Sequence, residues 1–227
     1  PSLSRHIATD DADSAQRLQS NAIELAMLLT VPAAVALYVT GSAFTRAFYT
    51  GGAFTLADAM ATGAVVSALV VGLPAYVLIK VLVPNYFARA DTRTPVYTAI
   101  ASLALNVALN FALVPSMGVA GLALASSISA WGNALLLYFI LVRRGQFSLT
   151  TRVLGRIARI GLAAAAMGAA LWAAMPYGSA YYAGEGIERV GAVLVLLAIG
   201  GAVYFTLAAL FGVLTRETIE RLARREA

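Results

Sequence analysis

The 227-residue chain is 60% apolar and only 12% charged, with a mean hydropathy of +0.81 and a net charge of +5. This composition excludes an ordinary soluble globular domain and predicts an all-α, polytopic membrane protein. The positive charge has to be read against membrane topology, so it does not predict nucleic-acid binding. The sequence contains no cysteine and one histidine, which excludes a disulfide, a thiolate nucleophile and a zinc site of the common types.

The chain opens with polar sequence, and we interpret residues 1–20 as a cytoplasmic connecting segment. Because it begins with proline rather than methionine, we expect a piece of a longer protein without its own signal peptide. The first membrane span is predicted at 21–40, with Glu24 near its start and Pro32 near its middle. Glu24 is a candidate proton or ion site, although its position one turn inside the membrane favours an interfacial carboxylate.

A loop rich in glycine, threonine and phenylalanine is predicted at 41–57, and a second span at 58–83, interrupted by Pro74. Thr55 and Asp58 have the spacing of a capping box, which predicts a helix start. Lys80 is the only lysine and lies in apolar sequence. Its amine either faces a water-filled cavity and an anionic substrate group, or reaches the lipid headgroups along its flexible stem.

Pro84 is followed by a short basic loop that contains Arg89, Asp91 and Arg93. The arginines there are candidates for attracting a phosphate-bearing headgroup, because a guanidinium binds phosphate through two parallel hydrogen bonds. The alternative is that these charges set the membrane topology and include one Arg–Asp contact.

Two uncharged spans follow, and Thr94 with Pro95 is predicted to open the first of them, at 94–114. The second span is predicted at 119–142, and the short turn between the two makes them antiparallel neighbours. Both spans carry polar residues at helical spacing: Thr98, Ser102, Asn106 and Asn110, then Ser126, Ser129 and Asn133. These stripes either line an aqueous cavity or form hydrogen bonds between the helices, and for the serines packing is favoured. Asn110 and Asn133 are stronger candidates for a cavity or a helix lock, because an amide has four hydrogen-bonding positions to satisfy.

The remaining chain is predicted as a basic cytoplasmic linker at 143–159, two further spans at 160–175 and 190–213, and a polar cytoplasmic tail at 214–227. Three arginines of the linker lie on one helical face and are expected to contact anionic lipid headgroups. Six spans therefore divide into four at 21–142 and a separate pair at 160–213.

The arginines predict the orientation of these spans. With a cytoplasmic N-terminus, the outside loops carry only Arg46 and Arg189. The inside segments carry all the others: Arg5, Arg17, Arg89, Arg93, Arg143, Arg144, Arg152, Arg156, Arg159, Arg216, Arg221, Arg224 and Arg225. This strong bias predicts that both ends of the chain are cytoplasmic.

Several stretches of the sequence are similar to a known family. Residues 80–95 read KVLVPNYFARADTRTP, residues 1–4 read PSLS, 29–37 read LTVPAAVAL, and 121–125 read GLALA, leading to NALLLY at 133–138. They resemble the MurJ (MviN) family of bacterial lipid II flippases, within the multidrug/oligosaccharidyl-lipid/polysaccharide exporter superfamily. The resemblance covers most of residues 1–145, and the last two spans match only in position and hydrophobicity.

The resemblance implies a fold and a function. Family members have two lobes that face each other across a central cavity, followed by two extra helices. This chain would supply part of the second lobe and the extra pair, and its partners would be lipid II, anionic membrane lipids and a missing N-terminal lobe in the bacterial inner membrane. The cavity would hold the pyrophosphate-linked head and the extra pair a groove for the undecaprenyl tail. Lys80 would be a cation of the cavity or of the cytoplasmic gate.

The implied mechanism is transport by alternating access, with Pro32, Pro74 and Pro84 as hinge candidates and with no catalytic residue, cofactor or metal. The first lobe of the family, which carries several important arginines, is absent from this chain, so we do not expect the chain alone to move lipid. Three other functions stay open, and one of them is a polysaccharide-lipid exporter of the same superfamily. A small-molecule antiporter requires an essential carboxylate, for which only Glu24 is available. A membrane scaffold requires the polar stripes to be buried in dry helix contacts.

Overall fold

The computed structural model describes residues 12–49, 53–178 and 187–213, and nearly all of them are helical. The predicted tail at 214–227 and the first eleven residues of the predicted connecting segment lie outside the described residues. The described helices are α1 (Ala12–Tyr49), α2 (Leu56–Val70), α3 (Leu73–Phe87), α4 (Arg93–Met117), α5 (Val119–Arg143), α6 (Thr151–Ala174) and α7 (Ile187–Leu210). A short 3-10 turn, Met175–Gly178, follows α6.

Six spans in the described residues are long and apolar enough to cross a membrane, because α2 and α3 together form one span, Leu56–Phe87. The predicted all-α, six-span membrane architecture is confirmed. The helix start at Thr55 is also confirmed, since the Asp58 N–H donates to the Thr55 hydroxyl and the Thr55 N–H donates to the Asp58 carboxylate.

Two helices extend beyond their predicted spans. The first helix, α1, begins at Ala12 and ends at Tyr49, because its polar first turns pack against the protein instead of ending at the membrane: Ala15 and Gln19 are buried. The helix α6 begins inside the predicted linker, at Thr151, where the Thr150 hydroxyl accepts a hydrogen bond from the Val153 N–H. Hydropathy locates only the membrane-embedded part of such helices.

The long helix α1 is the centre of the bundle. It packs against α2 and α3 on one side and against α6 and α7 on the other. The helix α5 packs against α2, α3 and α4, whereas α4 has α5 as its main neighbour and contacts α3 only slightly. The core joins Ile23 of α1, Leu82 and Tyr86 of α3, and Leu137 and Leu141 of α5.

Most of the arginines gather at one end of the bundle, which we call the arginine-rich end. It comprises the start of α1, the ends of α3, α5 and α7, and the starts of α4 and α6. Gln16 of α1 donates to the carbonyl of Ser148 in the loop after α5, and Arg159 of α6 donates to the carbonyl of Phe211 at the end of α7. The other end, which includes Arg46 of α1, is called the opposite end.

Candidate functional site at the arginine-rich end and the α4–α5 interface

The segment 80–95 folds into the second half of α3, a tight turn and the start of α4. The turn closes α3 through two 3.0 Å hydrogen bonds, from the Ala90 N–H to the Phe87 carbonyl and from the Asp91 N–H to the Tyr86 carbonyl. Ala90 has φ 57°, in the left-handed region where this helix ending usually has glycine. A side chain in this conformation costs about 1–2 kcal/mol, so contacts on both sides must hold the turn.

Arg89 lies at the centre of a polar network that joins three parts of the bundle. Its guanidinium donates to the Asn85 backbone carbonyl at 3.1 Å, to the Asn85 side-chain oxygen, and to the Gln146 carbonyl at 3.2 Å. The Asn85 amide in turn donates to the side-chain oxygen of Gln19 on α1. Burial lowers the pKa of Arg89, although the group stays charged. Because protein acceptors already occupy this guanidinium, the geometry favours a structural role for Arg89.

Asp91 joins the start of α4 to the end of α5. Its carboxylate accepts from the Thr94 N–H at 2.9 Å and from the Thr94 hydroxyl at 2.6 Å. Arg144 donates to the same carboxylate at 2.6 Å and to the Thr94 hydroxyl at 3.0 Å. The hydrogen bonds from Thr94, and then that from Arg144, hold the pKa of Asp91 well below its usual value. Asp91 therefore supplies the cap that the sequence predicted from Thr94, and its arginine partner is Arg144 rather than Arg89 or Arg93.

Lys80 and Arg93 differ from Arg89 because they have no polar partner in the described part of the chain. Lys80 lies on the exposed face of α3, on the same stripe as Tyr76, Pro84 and Phe87. Arg93 is exposed at the first residue of α4. Of the three cations predicted for this segment, these two remain free to bind an anion.

The polar stripes of α4 and α5 face each other, as expected for antiparallel neighbours. The Ser102 hydroxyl donates to the Ser129 carbonyl at 2.7 Å, and the Asn106 amide donates to the Ser126 hydroxyl at 3.3 Å. The Asn110 amide continues this row with a 3.1 Å hydrogen bond to the Asn106 side-chain oxygen. These contacts place the Ser102 and Ser126 side chains in helix packing, the interpretation that was favoured for the serines, whereas the Ser129 hydroxyl is buried without a hydrogen-bond partner among the described residues.

Two asparagine side chains keep unused acceptors. The Oδ1 atoms of Asn110 and Asn133 are buried and have no hydrogen-bond partner among the described residues. Asn110 also lines a pocket of about 380 Å³, together with Val107, Phe111 and Pro115. Buried acceptors in native proteins are nearly always satisfied. Water, a ligand or another part of the protein is therefore required at these two positions.

The three predicted hinge prolines have different surroundings. Pro32 lies inside continuous α1, where it cannot donate to the Leu28 carbonyl. The Tyr204 hydroxyl of α7 donates to that carbonyl at 2.8 Å, so the proline creates a docking point for α7. Pro84 lies inside α3 and in the same way leaves the Lys80 carbonyl without its helical partner.

Pro74 lies in the first turn of α3, directly after a break in the second span. Two side chains of α5 take up carbonyls at the break: the Ser127 hydroxyl donates to Ala68 at 2.6 Å, and the Trp131 indole donates to Val71 at 2.9 Å. At the adjacent Gly72, a Cβ atom would lie 2.8 Å from the Ser127 Cα, so only glycine permits this approach. The break is therefore fixed against α5.

Glu24 forms an ion pair with Arg156 of α6, at 2.8 Å. Both side chains are about four-fifths buried, with relative exposures of 17% and 20%. The pair joins the first helix to the extra helix pair and leaves Glu24 occupied. This favours the interfacial, structural interpretation of Glu24 over a proton or ion site.

Sequence reasoning did not find Arg144, Trp131 or Tyr204. Arg144 is adjacent to Arg143, and sequence alone does not separate a paired arginine from an exposed one. The two aromatic residues did carry a usable signal, because a tyrosine hydroxyl or tryptophan N–H within an apolar span requires an acceptor. Their acceptors are carbonyls near prolines of other helices, which only the fold reveals.

No group of three or more histidine, cysteine, aspartate or glutamate residues able to hold a metal ion occurs within 12–49, 53–178 and 187–213. The described chain is thus a membrane-spanning helix bundle with a broken span, an interhelical polar row and several unpaired cations near one end, among them Lys80 and Arg93. These features define a polytopic membrane protein.

Comparison with known proteins identifies the family. Residues 1–190 match the family model "MurJ: Lipid II flippase MurJ". The chain therefore belongs to the MurJ family, which confirms the predicted resemblance. The relatives are named as flippases, which are transporters rather than enzymes.

Two relatives and one solved structure show how far the similarity extends. The chain is 37% identical over its full length to "Probable lipid II flippase MurJ" of Rhizobium meliloti (strain 1021), and 34% identical to the protein of that name in Rhizobium tropici. It covers 43% of each relative. The structure "Lipid II flippase MurJ, inward closed conformation" superposes with a TM-score of 0.73 and 24% identity over 92% of this chain and 41% of that one. The chain thus spans less than half the length of the relatives that it matches.

Proposed function

We propose that this chain is the C-terminal part of a lipid II flippase of the bacterial inner membrane. It moves the undecaprenyl-pyrophosphate-linked peptidoglycan precursor from the cytoplasmic to the periplasmic leaflet by alternating access, together with an N-terminal lobe. The observation that carries the proposal is the family match over most of the chain, combined with a free amine on an apolar membrane helix. A pyrophosphate that crosses hydrocarbon needs such a cation, because intramembrane charges are costly unless they are paired.

Lys80 is the first candidate for contacting the substrate. Its amine has no protein partner, and Pro84 leaves the Lys80 carbonyl without a helical hydrogen bond. A freed backbone carbonyl at membrane depth is tolerated where protein or water satisfies it, and not against lipid. Both features support a stripe of α3 that faces a hydrated cavity. Arg93 adds a second free cation at the cytoplasmic mouth, while Arg89 and Asp91 hold the surrounding helix ends in place.

The polar row between α4 and α5 has two parts in this proposal. Ser102, Ser126 and Asn106 hold the helices together. The Oδ1 atoms of Asn110 and Asn133 are buried without a protein partner, and this supports a role for them in contacting water of the transport cavity. If the chain is instead a membrane scaffold, the side chains of Asn106, Asn110 and Asn133 must all be inaccessible to water. Because the chain has no cysteine, single Asn110→Cys and Asn133→Cys variants test this directly: we expect labelling by a membrane-impermeant thiol reagent, and protection of both would contradict the cavity.

The second span supplies the bend that alternating access requires. Among the three hinge candidates, Pro74 lies at an existing break, and Pro32 and Pro84 lie inside continuous helices. The hydrogen bonds from Ser127 and Trp131 hold the break in the state described here. Rocking of the lobe then requires α2 to tilt on α3 at Gly72, with release of these two hydrogen bonds.

The orientation and the lipid contacts complete the proposal. Both ends of the chain lie in the cytoplasm, supported by the concentration of arginines at one end. The predicted linker at 143–159 contacts anionic lipid headgroups, supported by exposed Arg152 and by Arg143, whose guanidinium lies 4.7 Å from the Phe139 ring centroid.

Depletion of the full-length protein that contains this chain tests the function. We expect peptidoglycan synthesis to stop, and to be restored by the wild type and by Arg152→Gln but not by Lys80→Ala. Normal growth after depletion would contradict the function. Full rescue by well-expressed Lys80→Ala would remove the role of Lys80 and leave the fold unaffected.

A further inference from the structure

Two arginines lie at the opposite end of the bundle, and they differ in their surroundings. Arg189 takes part in an interaction within the protein. Arg46, in the last turn of α1, is partly exposed and has no hydrogen bond or ion pair among the described residues. An arginine beside apolar helices normally has an anionic partner or lies in water. Because Arg46 has no such partner among the described residues, an anion or water from outside them has to contact its guanidinium.

The guanidinium of Arg46 borders a crevice of about 400 Å³ between α1, α2 and the turn after α6. The other walls are mostly apolar: Leu56 and Met60 of α2 lie one helical turn apart, and Met175 and Pro176 come from the turn. Leu56 and Met60 are 46% and 63% exposed, so they face whatever surrounds the bundle. The crevice thus combines one cation with a wall suited to a hydrocarbon chain.

The nearest acidic residue of α2, Asp58, does not neutralise this cation. Its carboxylate accepts from the Thr55 N–H at 2.8 Å and from the Thr55 hydroxyl at 2.7 Å. Asp58 also lies two residues from both Leu56 and Met60, a separation of about 160° around the helix from each, on the other face of α2. The crevice therefore keeps the positive charge of Arg46.

Exposed aromatic residues indicate the depth of this crevice in the membrane. Tyr49 is 60% exposed, and Trp172 and Tyr177 on the other side of the crevice are 74% and 88% exposed. Trp and Tyr concentrate at the level of the lipid headgroups. Arg46 therefore lies at headgroup level, and the apolar wall lies beside the acyl chains.

We propose that Arg46 and this crevice bind an anionic phospholipid of the leaflet at the opposite end. The guanidinium donates to the lipid phosphate, for which its planar fork is suited, and one acyl chain lies along Leu56, Met60 and Met175. The apolar walls favour a membrane lipid over free phosphate. The site is separate from Lys80 and Arg93, and it does not depend on which substrate the full-length protein moves.

Native mass spectrometry of the purified full-length protein tests this site. Protein in detergent is exchanged with equal amounts of phosphatidylglycerol and phosphatidylcholine, and the retained lipids are counted. We expect Arg46→Gln to lower the retained phosphatidylglycerol at one site by about fivefold, the effect of one basic residue near a charged headgroup. Met60→Asn is expected to lower the retention of both lipids. Arg46→Lys keeps the positive charge but loses the planar guanidinium that binds phosphate through two hydrogen bonds. It is expected to retain an amount of phosphatidylglycerol between those of the wild type and Arg46→Gln.

Arg17→Gln is the matched control, because Arg17 is an exposed arginine near the start of α1, at the arginine-rich end, and lies outside the linker that is proposed to contact lipid. It is expected to leave the site at the opposite end occupied. Unchanged retention in folded Arg46→Gln protein would overturn the proposal. Displacement of the retained lipid by excess inorganic phosphate would overturn the assignment to a phospholipid.

Discussion

The helices α4 and α5 have the same length of 25 residues and similarly apolar sequences, but they are buried very differently. Within their most apolar windows, 39% of the α5 residues are buried and only 6% of the α4 residues. On its outer face α4 exposes Tyr97, Leu103 and Phe111, which are 68%, 63% and 81% exposed. Its contacts in this chain are almost all with α5.

This difference shows that hydropathy identifies a membrane span but not its neighbours. The exposed face of α4 meets either lipid or a part of the protein outside this chain, and both favour apolar side chains. The buried residues of α5 are enclosed mainly by α2, α3 and α4, so these residues are packed within the chain alone. The two helices therefore provide paired positions at which the structure can be tested.

The largest effect is expected from a core truncation in α5. Leu137 is 1% exposed and Leu103 of α4 is 63% exposed. Leu137→Ala should lower the free energy of unfolding by about 2–5 kcal/mol, because it leaves a cavity. Leu103→Ala in this chain should change it by less than about 0.5 kcal/mol. Unfolding in mixed detergent micelles measures both, and equal effects would contradict the described packing of α4 and α5.

The next effect concerns the hydroxyl that docks α7 on the proline of α1. Tyr204→Phe leaves the Leu28 carbonyl unsatisfied and should lower the free energy of unfolding by about 1–2 kcal/mol. Tyr97→Phe on the exposed face of α4 is the matched control and should be neutral. The same unfolding assay checks both, and a neutral Tyr204→Phe would show that Pro32 does not position α7.

The contact of Asp91 with Thr94 and Arg144, which links the start of α4 to the end of α5, should stabilise the protein less at low pH. Because the folded-state pKa of Asp91 is lowered, its contribution to stability is present above its usual pKa of about 4 and is lost as the pH falls below that value. Asp91→Ala should cost about 1 kcal/mol at neutral pH, because it removes the helix cap, and should reduce the acid dependence. Unfolding at pH 7 and pH 3 measures this, and an unchanged pH profile in Asp91→Ala would contradict the assignment.

The smallest effect is expected in the polar row between the two helices. Ser126→Ala removes the acceptor of the Asn106 amide and should cost about 0.6 kcal/mol, the usual value for such contacts in membranes. A double-mutant cycle with Asn106→Ala, which also removes the acceptor of the Asn110 amide, isolates the interaction. A coupling energy near zero would indicate that water occupies this position as well.

Features of the fold that depend on residues close together in the chain could be predicted from the sequence. The capping box at Thr55 and the six spans followed from local patterns, and the motif at 80–95 indicated the family. Pairings between distant residues were not predictable, because Arg144 meets Asp91 and Glu24 meets Arg156 only after the helices assemble. For the same reason, Arg89 and Arg93 looked equivalent as cations, although Arg89 is bound by protein acceptors and Arg93 is free.

The transport of lipid II provides the most direct test of the account. The full-length protein that contains this chain is reconstituted in vesicles, and the leaflet that holds labelled lipid II is determined for the wild type, Lys80→Gln and Arg152→Gln. We predict translocation by the wild type and by Arg152→Gln, with at least a tenfold loss in Lys80→Gln, the equivalent of about 1.4 kcal/mol. Translocation by folded Lys80→Gln at the wild-type level would contradict the role of Lys80. No translocation by the wild type would contradict the proposed transport of lipid II.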